Sequence, residues 1–329
     1  MGRIAVLGSN SFAGATFVDA ALSARHEVLG INRSAEPPAI FLPYRKNPKA
    51  SAYSFRQLDL NRDFDAIRKA LTEFAPRHVV DFAGQGMVAE SWSNPVQWYQ
   101  TNVVAKVRLH DFLRQQRTLE KYVRVSTPEV YGSTTQLVRE DQPYAPSTPY
   151  AVSHAAIDMS LAAFHRHYGF PVVLTRFANF FGAGQQLYRI VPRSIIYALT
   201  GRRLQLHGGG TSIRAFIHSR DVADALLKTL QQGVPGETYH FSPQDFHSIR
   251  EVVQAVCGQL GVEFDRVAEV SGERPGKDHA YLMDAAKART KLRWTPKFTL
   301  AAGISETIEW VKANLEEIRR LPLDYVHKP

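Results

Sequence analysis

The sequence predicts an α/β protein built on a doubly wound parallel sheet, with a smaller substrate-binding lobe interleaved towards the C-terminus. Three observations carry this expectation. Short apolar strands over 4–7, 27–31, 54–58, 78–82, 122–126 and 172–176 alternate with helical stretches, which puts helices on both faces of a parallel sheet. A glycine-containing turn follows directly on the first strand. Beyond Arg176 the alternation loosens into glycine-rich loops, Gly208-Gly209-Gly210 among them, with helices over 191–200 and 221–231 and a last helix over 302–318. The resulting boundaries are a sheet domain over 1–175, to which 214–243 returns, a lobe over 176–213 and 244–320, and a tail over 321–329.

Composition limits what such a chain can do. Its 329 residues are 44% apolar and 22% charged, the average of a soluble enzyme-sized protein. The N-terminus runs straight into a strand, with neither a charged lead nor a long apolar core, and Cys257 stands alone, so no disulfide framework exists. Both features point to the cytoplasm and away from a membrane. The formal charge of +9 is scattered rather than gathered into a stripe with interleaved aromatics, which argues against nucleic acid and for a phosphorylated small ligand. No internal repeat or low-complexity tract interrupts the pattern, and no metal is expected.

Taken in order, the strand ends read as a dinucleotide site. Gly8-Ser9-Asn10-Ser11-Phe12-Ala13-Gly14 joins a strand to a helix, where a pyrophosphate sits on helix N-terminal amides. Gly8 suits the tight turn and Gly14 the close packing of helix on sheet, while Ser11 takes the place of a middle glycine. The second strand ends in Asn32-Arg33-Ser34 instead of an acid for the ribose 2′-hydroxyl. Arg33 and Ser34 suit a 2′-phosphate, so NADP is preferred, with NAD as the alternative. Asp59 and Leu60 follow the third strand beside the adenine. The fourth ends in Phe82-Ala83-Gly84-Gln85, whose small residues let backbone approach a dinucleotide.

The chemistry gathers between Val125 and Asp158. A strand delivers Ser126, Thr127 and Glu129 to a loop, and Thr148-Pro149 starts a helix as N-cap and first-turn proline. Tyr150 and His154, four residues apart, therefore share one helix face. A hydroxyl, a carboxylate, a phenol and an imidazole at the end of a strand and the start of a helix form an acid/base cluster.

With Phe82-Ala83-Gly84-Gln85, Asn102, Ser-Thr-Pro-Glu-Val-Tyr-Gly at 126–132, Tyr150, Arg176-Phe177-Ala178-Asn179-Phe180-Phe181-Gly182, Arg214-Ala215-Phe216-Ile217-His218 and Arg274-Pro275-Gly276-Lys277-Asp278, the chain resembles one family nearly end to end. It is similar to the extended short-chain dehydrogenases/reductases that act as NAD(P)-dependent nucleotide-sugar epimerases and dehydratases, closest to the 4,6-dehydratases of GDP-mannose or dTDP-glucose type. The resemblance implies a Rossmann-type fold and a nucleotide-diphospho-sugar substrate. Tyr150 would take the C4 hydroxyl proton with Thr127 holding that hydroxyl, and Glu129 would remove the C5 proton so that the C6 hydroxyl leaves as water. It further implies cofactor contacts from Asn102 and His154, and sugar-nucleotide contacts from Ser126, Asn179, Arg189, Val191, Leu206, Arg214, Arg274 and Asp278. A homodimer or dimer of dimers is implied through the helices near Asn102 and Ala156.

Two positions depart from the family. Pro128 stands where the dTDP-glucose type carries an aspartic acid that protonates the leaving hydroxyl, so either Glu129 serves both steps or the elimination does not occur. His154 replaces a lysine that binds the nicotinamide ribose and lowers the tyrosine pKa. A histidine changes charge near about pH 6.5 and so supplies little fixed positive charge near neutral pH. Epimerase, decarboxylase or oxidoreductase activity on the same scaffold, and a non-catalytic dinucleotide sensor, are the alternatives.

Overall fold

The computed structural model of the protein describes residues 2–134, 136–272 and 280–328. Seven strands form one sheet: β1 (Arg3–Leu7), β2 (Glu27–Asn32), β3 (Tyr53–Gln57), β4 (His78–Asp81), β5 (Lys121–Ser126), β6 (Val172–Phe177) and β7 (Thr238–Phe241). Their order is β7-β6-β5-β4-β1-β2-β3, and every neighbouring pair is parallel. The first six lie where the apolar runs predict them. The seventh, Thr-Tyr-His-Phe, is not visible as a run because Thr238 and His240 interrupt it; the sheet selects it by burying Tyr239, His240 and Phe241 beside β6.

The main helices are α1 (Phe12–Ser23), α2 (Phe64–Phe74), α3 (Ala105–Leu113), α4 (Pro149–Tyr168), α5 (Ile190–Thr200), α6 (Ser219–Gln232), α7 (Ile249–Leu260) and α8 (Leu300–Ala313). Alternation along β1 sorts the core onto two faces. Ile4 and Val6 pack with Phe17 and Val18 of α1 and Val222 and Leu226 of α6. Ala5 and Leu7 face the other way, with Leu71 of α2, Leu109 of α3 and Leu161 of α4. Each fully buried aliphatic side chain contributes about 1.5–3 kcal/mol.

A third core, with Val191 and Ile195 of α5, Val252 and Val256 of α7 and Ile304 and Ile308 of α8, fills the C-terminal lobe. The short pairing of Asn179–Phe181 with Phe216–His218 ties that lobe to the sheet domain, and that of Leu204–His207 with Ala268–Ser271 holds the lobe itself together. The helix expected over 302–318 is broken. Its first part, α8, ends at Ala313, where the Asn314 side-chain amide donates to the Trp310 carbonyl at 2.7 Å, and a separate turn covers Leu315–Ile318. The Asn314 backbone N–H and side-chain amide both donate to carbonyls of the last turn, so one residue satisfies the helix end and terminates it.

Candidate active site

Because all strands are parallel, their C-terminal ends share one edge, and the chain leaves β1 towards β2 on one side and β4 on the other. The loops after β1 and β4 therefore part and leave a crevice. Gly8 adopts φ 78°, in the left-handed region that favours glycine. A Cβ on Gly14 would stand 2.3 Å from the Gly8 carbonyl oxygen, so only glycine lets α1 start this close to the sheet. Ser11 is the N-cap of α1, its hydroxyl oxygen accepting from the Gly14 amide at 3.1 Å. Gly14 thus shapes the cradle from behind, and Ser11 both caps the helix and lines the crevice.

Two cavities continue along this edge. The outer one, of about 310 Å³, is lined by Gly8, Ser11, Asn32, Arg33, Ser34, Asp59, Leu60, Ala83 and Gly84. The inner one, of about 640 Å³, adds Phe12, Gln85, Ser126, Thr127, Glu129, Tyr150, His154, Asn179, Arg189 and Val191. These residues fit a dinucleotide: a glycine cradle free of side chains at a helix N-terminus, cationic and hydroxyl groups at the outer end, and the reactive groups at the inner end. Asn102 does not line either cavity. Fully buried, it accepts from the Gln85 amide at 2.7 Å and donates to the Gln85 carbonyl at 3.1 Å and the Ser153 hydroxyl at 3.0 Å. It clamps the β4 loop to α4 from behind the cavities.

At the inner end the local expectations hold. Thr148 caps α4 by accepting from the Ala151 amide at 3.1 Å, and Thr127 caps a short turn, Pro128–Tyr131, that begins with Pro128. The Tyr150 and His154 rings lie one turn apart with centroids 4.5 Å apart. Burial and the Glu129 carboxylate push the Tyr150 phenol above its usual range; a hydrogen bond with Thr127 and the charge of Arg124 pull it back. The Ser126 hydroxyl, though in the cavity wall, donates to Asp158 at 2.6 Å, and Asp158 pairs with the buried Arg176 at 2.9 Å. Ser126 therefore braces α4 against β5 and β6.

The surroundings of His154 strengthen the expectation that it supplies little positive charge near neutral pH. Burial first, then the cations Arg124 and Lys106, hold its pKa well below the usual histidine range, which favours the neutral ring. Beneath it lies a cluster in which Asp81 meets Lys106, the Tyr122 hydroxyl and Arg124. Burial pushes the Asp81 carboxyl up, but Lys106 and Arg124 outweigh burial and hold it below the usual carboxylate range.

Past Tyr150 the inner cavity opens into one of about 510 Å³, shared through Glu129, Tyr150 and Arg189, and lined further by Arg193, Leu206, His207, Arg214 and Tyr281. The Tyr281 hydroxyl donates to Asn179 at 3.0 Å, and the Arg214 guanidinium lies 4.2 Å from the Tyr281 ring centroid. Arg274 and Asp278 lie outside the described residues. Among the described residues no group of three or more His, Cys, Asp or Glu side chains could hold a metal ion.

Four participants escape a sequence reading. Arg124 and Arg193 look like ordinary strand and helix residues, Tyr281 follows no motif, and Lys328 sits in the tail. The tail returns to the sheet edge: His327 stacks on Trp98 at 5.4 Å, the Lys328 carbonyl accepts from Arg33 and from Gln85 at 2.8 Å each, and its ammonium donates to Ser34 at 3.1 Å. Only the aromatic and basic Tyr325-Val-His-Lys composition could have signalled this.

A family model described as GDP-mannose 4,6 dehydratase matches residues 6–307. The chain belongs to the NAD-dependent epimerase/dehydratase family, within the extended short-chain dehydrogenases/reductases. It is 34% identical over 267 residues to a dTDP-glucose 4,6-dehydratase of Xanthomonas campestris pv. campestris, covering 75% of this chain and 76% of that one. The solved dTDP-glucose 4,6-dehydratase of Streptomyces venezuelae, with NAD bound, matches with a TM-score of 0.88 at 27% identity over 96% of this chain and 98% of that one. The UDP-glucose 4-epimerase of Thermus thermophilus in complex with NAD matches with a TM-score of 0.85, also at 27% identity, over 94% and 99%.

The Asn102 clamp gives a direct test. Asn102→Ala strips partners from a buried amide and a buried carbonyl, each costing about 1–3 kcal/mol. Dinucleotide affinity measured by calorimetry should fall about tenfold or more, while affinity for a nucleoside diphosphate should stay unchanged.

Proposed function

We propose that this protein is a nucleotide-diphospho-sugar 4,6-dehydratase, a lyase that forms a 4-keto-6-deoxy sugar. The observation that carries this is the meeting of Thr127, Glu129 and Tyr150 where the dinucleotide-shaped cavities join one edged by Arg189, Arg193 and Arg214. When bound, the dinucleotide supplies a reversible hydride acceptor. Tyr150, as phenolate, takes the C4 hydroxyl proton, and Thr127 orients that hydroxyl. Oxidation at C4 acidifies the C5 hydrogen, which Glu129 removes. Pro128 can hold no proton, so Glu129 then gives the proton it has gained to the departing C6 hydroxyl, which leaves as water; return of the C4 hydride to C6, with a proton delivered to C5 in balance with the one Tyr150 took, would complete the 4-keto-6-deoxy sugar. The arginines suit the diphosphate, with Arg189 and Arg214 gripping its oxygens and Leu206, Val191 and Asn179 framing the rest. Arg274 and Asp278 remain assigned to this role by resemblance. The named dehydratase relatives act on dTDP-glucose, which makes that sugar nucleotide the first to try.

For the cofactor, we infer NADP. Its support is local: Arg33, Ser34 and the Lys328 ammonium gather at the outer cavity where a 2′-phosphate would lie. The solved relatives above hold NAD, so the inference is specific to this chain. We also assign a homodimer. Val96, Tyr99 and Val104 on the segment before α3 and Val152 and Met159 on α4 are exposed apolar side chains on elements packed side by side, with Val96 and Met159 74% and 63% exposed. Such a paired-helix face is self-complementary about a twofold axis. No helix among the described residues is long and apolar enough to cross a membrane, and a cytoplasmic location is proposed.

Three outcomes test these assignments. Incubation with a panel of nucleotide sugars, dTDP-glucose first, should convert one of them with loss of one water by mass, and Glu129→Gln should abolish that loss while reduced cofactor accumulates at 340 nm. An unchanged product mass with an inverted C4 centre would make the protein an epimerase instead. Denaturing the purified protein should release mainly NADP(H); release of NAD(H) alone, with retention unaltered in Arg33→Ala, removes the NADP assignment. Light scattering should give twice the chain mass, and Val96→Glu combined with Met159→Glu should halve it.

A further inference from the structure

Arg124 is the residue of the site that the proposed chemistry has not used. Its guanidinium is 1% exposed and makes three directed contacts: Nη1 to an Asp81 carboxylate oxygen at 3.5 Å and to the Ala83 carbonyl at 3.3 Å, and Nη2 to His154 Nδ1 at 3.2 Å. A guanidinium only donates. Nδ1 of His154 is therefore the acceptor, the ring proton sits on Nε2, and that N–H is left for the cavity that His154 lines.

The charges below the site do not cancel. Asp81 contributes one negative charge, and Lys106 already meets both of its oxygens. Arg124 is thus a second cation against a carboxylate that is satisfied without it. The neighbouring Asp158–Arg176 pair is balanced one to one. Burial pulls the Lys106 ammonium down to about 8, so below that pH one net positive charge is left buried directly behind His154, whose ring packs against that of Tyr150 at 4.5 Å between centroids.

We propose that Arg124 is a positioning residue for the catalytic tyrosine: it locks His154 as the Nε2–H tautomer and supplies from the sheet the fixed positive charge that His154 lacks. The other groups facing Tyr150 are the Thr127 hydroxyl, the Glu129 carboxylate and Tyr281; those facing His154 are Arg124, Lys106, Asp81 and, further off, Arg176. Among these, Arg124 and the Thr127 hydroxyl favour the phenolate, and Glu129 opposes it. The inference rests on the reading of Tyr150 as the C4 base.

The rate of oxidation at C4 should rise with pH as Tyr150 ionises. A nearby cation lowers the pH at which this occurs, so removing it moves the rising limb to higher pH. Arg124→Gln keeps a donor but no charge. Its kcat limb should shift upward by about one unit, with roughly tenfold lower kcat at pH 7 and little change in KM; Arg124→Lys, which keeps the charge, should hold the limb in place. A limb that does not move in a folded Arg124→Gln overturns the proposal. A second measurement needs no substrate and no folded variant at Arg124. In ¹⁵N-histidine spectra of the wild-type protein, with the signal identified by its loss in His154→Gln, His154 should show a protonated Nε2 and a bare Nδ1, unchanged from pH 5 to 9. A proton on Nδ1, or titration within that range, overturns it equally. If no sugar nucleotide is turned over, the dehydratase reading fails while the nitrogen spectrum still decides the arrangement of Arg124 and His154.

Discussion

The buried carboxylate of Asp81 is the interaction on which the rest of the site depends. It ends β4, accepts from the Ala83 amide at 3.0 Å, and draws Lys106 from α3, Tyr122 and Arg124 from β5 onto itself. One side chain thereby fixes two strands, a helix and the first residues of the loop that faces the dinucleotide. A carboxylate at this depth is tolerated because Lys106, a phenol and an amide fill its lone pairs, with Arg124 standing by as a second cation; with Lys106 removed the desolvation cost returns. The same arrangement carries Arg124 up to His154 and so joins the support of the cofactor loop to the catalytic helix.

Much of this was legible in the sequence because it is local. Six strands declared themselves as apolar runs, the Thr148-Pro149 pair announced the start of α4, and Tyr150 and His154 met on one face because helices repeat every 3.6 residues. What was not legible depends on partners distant in the chain. Strand β7 is a strand because β6 lies beside it, and the hold of Asn102 on the β4 loop depends on Gln85 and Ser153, distant in the chain. Arg124 reads as one more residue of an alternating strand, since nothing in its own segment reveals Asp81 or His154. That His154 supplies little positive charge near neutral pH was expected from its type alone; how far burial and two neighbouring cations pull it below a free imidazole was not visible, for the same reason.

The two sides of the cleft differ in how they are built. The dinucleotide side is made of backbone and small residues at strand ends, held by short sheet-domain loops. The side proposed for the sugar is made of long arginines and of Tyr281, with Arg189, Arg193 and Tyr281 from the lobe and Arg214 at its junction with the sheet domain. A rigid cradle with adjustable cationic arms suits a family that keeps one hydride chemistry while changing its sugars.

The segment ahead of α3 has a further consequence. Helix Pro95–Tyr99 passes into α3 through a π-turn over Gln100–Val104, in which the chain holds one residue more than a regular helix needs. That extra residue sets the rotational phase of everything after it by about 100°, given 3.6 residues per turn. Asn102 faces the β4 loop and Lys106, a turn later, faces Asp81 only in this phase. Length is therefore constrained here more tightly than composition. A substitution on the outer surface leaves the phase intact, whereas loss of a single residue would swing Lys106 out of the interior and leave Asp81 facing a gap in the helix wall.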